Sequence, residues 1–516
     1  MDNQINQNPR PVYDSPAPPP AEEHFPTGKR EAIFGLTILL LGLLLANCAL
    51  FGGANLGFAL ARMGCTAAAA IYLFCCGHKG TWYHRTVLGL CFLILPGFAR
   101  TDDGFVEFVM SCFLFVATNL ALGGMAGKNL WNPNGVQSLL DPFRHFFSLG
   151  FGKLGSAFRG IRNAICEGNE GVRNSGAVLL GLAIAAPLLL VMVPLLTRAD
   201  AAFEGLLDLL PDYDFEEFFM TLVFGIGTAC ILYTRTVALN HAAPAAVSEQ
   251  KEKKYLSPLT VNTALAAVCA LYVVYLLSQL AYFLGGFSGI LPEGFSLAEY
   301  ARRGFFEMAW LCIINLSIMI FGISVTEKQA GITPLLTRIA CLFLGLVTLF
   351  FVFAAGAKMV LYIGVYGMTR LRVLTMVIMA FLGLTTATVC IWLFLPKLPY
   401  MKVIVITALV MGAAVLWADV DSVVAGYNVD SYLSGRLETV DVEHLSDLGS
   451  GAVPHLDRLA REAADPTIRE YAENVLRNWL IYTRQDLRAW NYTDYVAREI
   501  LEQWPQRPDT VLLPKT

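Results

Sequence analysis

Five side chains able to bind or orient a charged group crowd into residues 296–315, SLAEYARRGFFEMAWLCIIN: Glu299, Tyr300, Arg302, Arg303 and Glu307. Lys358, Tyr362, Tyr366, Arg370 and Arg372 follow, then Asp419, Asp421, Tyr427 and Asn428, while Asp200 lies upstream. Arginine suits phosphate because its planar guanidinium offers paired N–H donors to two oxygens at once. The set is expected to line an outer vestibule that attracts an anionic group such as a lipid phosphate, with Asp200, Glu299, Asp419 and Asp421 orienting the cations. The competing reading is structural: opposite charges at helix ends form interfacial salt bridges, and arginines or tyrosines anchor span ends. A third reading uses Glu307 or Asp421 as a general base on a lipid-linked substrate. The sequence contains no Gly-rich phosphate loop, HExxH metal pair or Gly-x-Ser-x-Gly elbow, so no catalytic residue, cofactor or metal ligand is assigned.

These residues must be positioned by membrane spans. The chain is 56% hydrophobic and only 15% charged, with a mean hydropathy of +0.55, values foreign to a soluble domain. Crossing hydrocarbon takes about 20 apolar residues, because a helix satisfies its backbone amides without water. By that criterion the fold class is all-α, a polytopic transmembrane helix bundle of about 11 spans with a small C-terminal helical domain. The spans are expected at 32–51, 55–76, 85–98, 105–126, 174–197, 218–234, 259–284, 304–323, 335–361, 373–395 and 402–418. The third is short and the ninth long. Residues 1–31, with PAPPPAEE inside, read as a disordered cytoplasmic tail; a cleaved signal peptide would have a shorter apolar core nearer the start.

Lysine and arginine in short loops mark the cytoplasmic side. Lys79 and Arg85 follow the second span, and Lys128, Arg144, Lys153, Arg159, Arg162 and Arg173 lie between the fourth and fifth. Arg235, Lys251, Lys253 and Lys254 follow the sixth, whereas the loop after the fifth carries Asp200, Glu204, Asp208, Asp212, Asp214, Glu216 and Glu217 against Arg198. The amino terminus is therefore expected in the cytoplasm of a multi-pass cell-membrane protein, with the C-terminal domain outside. Lys358, Arg370 and Arg372 then fall externally, against the charge rule. No basic arm with interleaved aromatics suggests nucleic acid.

Within residues 139–166, Phe143, Phe147, Phe151, Leu154, Phe158, Ile161 and Ile165 recur at helical steps, with Arg144, Lys153, Arg159 and Arg162 off the stripe. This predicts an amphipathic cytoplasmic segment, either in the headgroup layer or packed under the spans. Most of the 12 cysteines lie inside spans and read as packing residues. Arg62 is expected to snorkel outward, Asn119, Gln279 and Asn315 to hydrogen-bond between helices, and His78 and His84 to lie on the surface of a cytoplasmic turn.

The segment 419–516 reads as a water-facing helical unit. Asp465 and Pro466 supply an N-cap and first-turn proline before the helical repeat Ile468, Tyr471, Ala472, Val475, Leu476, Trp479 and Leu480. A further helix is expected over 492–504, with Trp479, Trp490 or Trp504 against the membrane or the unit docked over the vestibule. Binding or gating suits it better than chemistry.

The stretch AEYARRGFFE resembles a signature of an uncharacterised bacterial membrane family, a domain of unknown function of the four-one-seven-three type or its four-one-five-three relative. Further similarity lies in LLTRADAAF at 195–203, where Arg198 is a departure, and in YIGVYGMTRLR at 362–372, where Met368 replaces leucine. It continues through the tail in Asp419, Asp421, Tyr427, Asn428 and Tyr432, DVEHLSDLGSGAVP at 441–454 and DLRAWNY at 486–492. The family implies no biochemical activity. By the expected topology the motifs emerge on one face. The functions they suggest are transport or handling of an anionic or lipid-linked envelope substrate, or a non-enzymatic sensor or scaffold whose tail binds an envelope protein; the lipid bilayer is the expected partner in either case.

Overall fold

The computed structural model describes residues 28–155, 215–241, 257–286, 305–325, 332–479 and 487–504, with a few single positions between 185 and 196. These residues are helical and turn structure, with no strand among them. The expected segments 1–27, 174–184 and 505–516, and the site residues Asp200, Glu299, Tyr300, Arg302 and Arg303, lie outside the described residues.

The first helix, α1 (Lys29–Asn47), runs on as a π-turn, Cys48–Gly52, and stops at Gly53, whose φ of 73° ends the helical path. After α2 (Leu56–Cys75) the chain turns at Gly77 (φ 93°), and α3 (Trp82–Ile94) tightens into a 3-10 turn, Leu95–Arg100, around Pro96. Asp103 then starts α4 (Gly104–Met125), its Oδ1 accepting from the amides of Phe105 and Val106 at 2.8 and 2.9 Å. The remaining long helices are α5 (Phe215–His241), α6 (Pro258–Gly286), α7 (Phe305–Val325), α8 (Ile332–Tyr366), α9 (Arg370–Phe394) and α10 (Tyr400–Ala418).

Eight helices among the described residues are long and apolar enough to cross a membrane: α1 with its π-turn, α2, α4, α5, α6, α8, α9 and α10. Two more expected spans are present in shorter form. The third is the 13-residue α3, and the eighth contributes the apolar run Glu307–Ile323 within α7.

The helices form two groups. In one, α1 packs along α2 and α5, and α3 pairs with α4; in the other, α6, α7 and α9 gather around α8. α10 joins the groups by touching both α3 and α9. Small residues let α1 and α5 approach: a Cβ on Gly42 would meet Ala229 Cβ at 2.9 Å, and one on Gly225 would meet Leu43 Cα at 2.7 Å. In lipid, where hydrophobicity gives helices no reason to associate, such close approach supplies the van der Waals attraction. Asn315 ties the second group together as expected, accepting from Tyr272 Oη at 2.8 Å and donating to Thr348 Oγ1 at 3.1 Å. Leu271, Trp310, Phe353 and Phe394 are exposed on the bundle's outside, a surface suited to lipid tails.

Residues 420–504 build a second, separate core. Its elements are α11 (Val420–Leu433), a short helix Val442–Ser446, α12 (Val453–Glu462), α13 (Pro466–Arg477) and α14 (Tyr492–Leu501). Val424, Val429, Leu445, Leu456, Leu459 and Leu476 are fully buried there. Asp465 caps α13 through the Thr467 amide at 2.8 Å, as the Asp-Pro pair predicts, and Asn491 caps α14 through the Thr493 amide at 2.9 Å. Trp479 and Trp504 pack on this core, and Trp504 Nε1 donates to Asp457 Oδ1 at 2.9 Å.

Candidate functional site

The tail unit rests on one end of the bundle, with Met368, Val373, Leu374 and Val415 of the bundle packed against its core. That end collects the last residues of α1 and α10 and the first residues of α2, α4, α5 and α9. Polar contacts fasten it at several points. The Leu56 amide donates to the Trp490 carbonyl at 3.2 Å, and Asn491 Nδ2 donates to the Thr101 carbonyl at 2.7 Å and to Asn55 Oδ1 at 3.0 Å. Arg488 forms an ion pair with Glu217 and donates to Asn47 Oδ1 at 2.8 Å.

The motif YGMTRLR makes the centre of this junction. Gly367 takes φ 73°, a left-handed conformation that favours glycine, and a Cβ there would meet Asn428 Oδ1 at 2.7 Å. Asn428 grips the turn from the tail side, accepting from the Met368 amide at 2.7 Å and donating to the Met368 carbonyl at 2.8 Å. Thr369 caps α9. Arg372 reaches back to the Tyr366 carbonyl at 3.1 Å and to the Gly367 carbonyl, satisfying acceptors left open where α8 ends. Its guanidinium lies 4.2 Å from the Tyr362 ring centroid, and Tyr362 in turn packs on Tyr366.

Arg370 sits between two buried carboxylates. Its Nε donates to Asp421 Oδ1 at 2.5 Å and pairs with Asp103 Oδ2 at 2.8 Å. Asp103 thus caps α4 with one oxygen and holds α9 with the other. Asp419, at φ 50°, turns the chain sharply from α10 into α11 and caps α11 through the Ser422 amide at 3.3 Å. Burial pushes the Asp419 carboxyl up to about 6, aided by Asp421 and opposed by Arg100 and the Ser422 amide. Asp421 is also raised, first by burial, with Arg370 pulling the other way.

A cavity of about 550 Å³ opens beside this pair, lined on its polar side by Asp102, Asp103, Asp447 and Arg370 and on its apolar side by Phe105, Leu371, Leu374 and Leu448. The balance is acidic. Of the arginines expected to line a vestibule, the described residues include Arg370, which is matched by carboxylates, and Arg372, which serves the α8–α9 turn. Elsewhere, Tyr427 stacks with Arg436 at 5.7 Å, Glu307 is exposed at the start of α7, and Lys358 is half-buried in α8. The structure brings together Arg370, Asp419, Asp421 and Asn428. Asp102 and Asp103, which complete the junction with Asp447 of the 441–454 motif, carried no sequence signal beyond the Asp-Gly at the start of α4.

One expectation needs correction. His84 is buried, 6% exposed, with Nδ1 bonded to Thr81 Oγ1 at 3.0 Å, because its ring packs onto Gly124 of α4. Arg62 is half-buried and donates to the Ser111 carbonyl of α4 at 2.9 Å. Asn119 hydrogen-bonds between helices as expected, accepting from Arg235 Nη1 of α5 at 2.6 Å.

A bundle of apolar membrane-length helices capped at one end by a helical tail defines a multi-pass membrane protein. The family model for a domain of unknown function (DUF4153) matches residues 36–459, and the chain belongs to that family. Of the two related types suggested by the motifs, it is the four-one-five-three type. No curated protein and no solved structure matches the chain.

Proposed function

We propose that this membrane protein binds the polar head of an amphiphile at the tail-capped end of its bundle, and that the head carries an amine beside its phosphate. The observation that carries this reading is the cavity of about 550 Å³ at the level of the span ends. Its size is that of a small-molecule site, about 300–1,000 Å³. Three carboxylates, Asp102, Asp103 and Asp447, face a single guanidinium, Arg370. A purely anionic head meets net repulsion there, whereas a zwitterion places its ammonium toward the carboxylates and its phosphate toward Arg370. Phe105, Leu371, Leu374 and Leu448 suit the first carbons of the tails.

This reading takes the tail-capped end as the outer side of a cell membrane, which the loop charges support, and the amphiphile as an envelope lipid or lipid-linked precursor. A sensing role is favoured over a freely moving transport cycle, because the cavity wall is shared. Asp447, Leu448 and Gly449 belong to the tail, while Asp103 and Arg370 belong to the bundle. Occupancy therefore bears on how firmly the tail is held.

The test is lipid-dependent thermal unfolding of the full chain in detergent, with short-chain phosphatidylethanolamine against phosphatidylglycerol. Phosphatidylethanolamine is expected to raise the midpoint more, and Asp447→Asn with Asp102→Asn to remove the difference. Equal responses to both lipids, or a larger response to phosphatidylglycerol, sink the proposal.

A further inference from the structure

At the far end of the bundle, several buried polar atoms beside α4 lack hydrogen-bond partners among the described residues. Arg235 Nε, His145 Nδ1 and both amide atoms of Asn129 make no hydrogen bond among the described residues. They surround one stretch of α4. Arg235 is held to it through Asn119, and the His145 ring and Asn129 side chain both lie on Gly123, where a Cβ would meet His145 Nδ1 at 2.3 Å and Asn129 Oδ1 at 2.8 Å. Gly123 is thus required by the approach of these groups.

The charge is as unmatched as the hydrogen bonding. Arg235 is 5% exposed and has no ion pair among the described residues; its guanidinium meets the Asn119 amide and lies near the Cys65 thiol. The His145 ring contacts the Lys128 carbonyl and Arg144 Nη2, each at 3.3 Å from Nε2. Among the described residues, the buried carboxylates at this end, Asp141 and Glu31, are engaged elsewhere. Asp141 accepts from the amides of Leu130 and Trp131 at 2.9 and 3.3 Å and pairs with Arg144 at 3.5 Å. Glu31 accepts from Tyr72 Oη at 3.0 Å and from the Gly28 amide at 3.1 Å.

A buried ion without a counter-charge is strongly disfavoured, and ordered water answers the hydrogen bonds but not the charge. We infer that a small inorganic anion of chloride size and charge binds at this turn of α4 as the counterion of Arg235, receiving N–H donors from Arg235 Nε, His145 Nδ1 and Asn129 Nδ2. The tautomer this needs is consistent with the surroundings: with the proton on Nδ1, Nε2 accepts from Arg144 Nη2. Burial favours the neutral imidazole, lowering the His145 pKa. The site lies at the opposite end from the proposed lipid cavity and does not depend on it.

The experiment is unfolding of the full chain in detergent at constant ionic strength, with sodium gluconate replaced stepwise by chloride or bromide, alongside bromide anomalous diffraction from crystals. Halide is expected to raise the midpoint by about 2 °C or more in a saturable way, and a bromide peak is expected against Arg235. Arg235→Gln should abolish the halide response. Should that variant fail to fold, Asn129→Ala, which keeps the charge, is expected to raise the half-saturating halide concentration about tenfold, as loss of a hydrogen bond to a charged group of about 1.4 kcal/mol or more would do. Identical midpoints in gluconate and halide, with no bromide peak at Arg235, overturn the inference and leave the site to water or a carboxylate of the chain.

Discussion

Arg370 and Arg235 sit at opposite ends of one bundle and solve the same problem in opposite ways. Arg370 is about a third exposed and lies between Asp103 and Asp421, so its charge is matched from within the fold. Arg235 is deeply buried and held by a neutral amide, with no ion pair among the described residues. The first arrangement joins pieces of chain: Asp103 precedes α4, Arg370 begins α9 and Asp421 lies in α11. The second joins only α4 and α5 and leaves donors unused. Ion pairs at the tail end thus act as fasteners, whereas at the far end buried donors go unused among the described residues.

The comparison is broken most severely at Asp103. Asp103→Ala removes the α4 cap and one arm of the Arg370 pair together, and is expected to destabilise the protein by about 3 kcal/mol, the cap and a partly solvated ion pair each contributing. Thermal unfolding of the single variants Asp103→Ala and Arg370→Met and of the double variant tests it. The double should cost less than the sum, because the partners' losses overlap. Strict additivity would show that the pair does not fasten the tail.

At the far end, Gly123→Ala is expected to cost about 2 kcal/mol, since its methyl group displaces the His145 ring and disturbs the donors around Arg235. If that end forms a site, the variant also blunts the halide response; unchanged stability and halide response would show that the ring moves freely. Gly367→Ala comes next, at about 1–2 kcal/mol, from the positive φ and the crowding of Asn428. Its signature is easier proteolysis of the tail with the bundle intact, whereas a protease-resistant tail would mean that the Gly367 turn does not hold it.

Much of this architecture was legible because lipid imposes a simple rule: a run of about twenty apolar residues is a helix. The motifs at 362–372 and 419–428 also pointed correctly to a meeting place, since alternation of spans brings those ends to one face. What they did there was harder to read. An arginine at a span end has the same local pattern whether it awaits a phosphate or is already paired, and the partner of Arg370, Asp103, lies far upstream beside an unremarkable loop. His84 is hard to read for the same reason: at the start of α3 its environment is decided by Gly124, a residue on another helix. The glycine pair Gly123–Gly124 was the available signal, because adjacent glycines inside an apolar helix leave room for something bulky to approach. Asp200, Glu299, Tyr300, Arg302 and Arg303 lie outside the described residues, so the vestibule they suggest stands as an expectation.

The smallest effect expected concerns the acidity of the junction. The Asp419 carboxyl is raised from 3.8 to about 6, chiefly by burial. A carboxyl raised in the folded state holds its proton more tightly there than in the unfolded chain. Its favourable contribution is therefore complete below pH of about 4 and is lost as pH rises through about 6. Asp421 moves in the same direction. The tail should accordingly dock more firmly at pH 5 than at pH 7.5, by about 1 kcal/mol once partial solvent access is allowed for. Asp419→Asn keeps an oxygen to cap α11 and carries no charge, so it should flatten this part of the profile and slightly stabilise the protein at pH 7.5. Among the described residues Arg235 has no comparable carboxyl beside it, so the halide response at the far end should be little changed between pH 7 and 8. A tail whose protease resistance rises from pH 5 to 7.5, or a profile unchanged in Asp419→Asn, would mean that Asp419 is better solvated than its burial implies and that the junction is held by Arg370 and Asn428 alone.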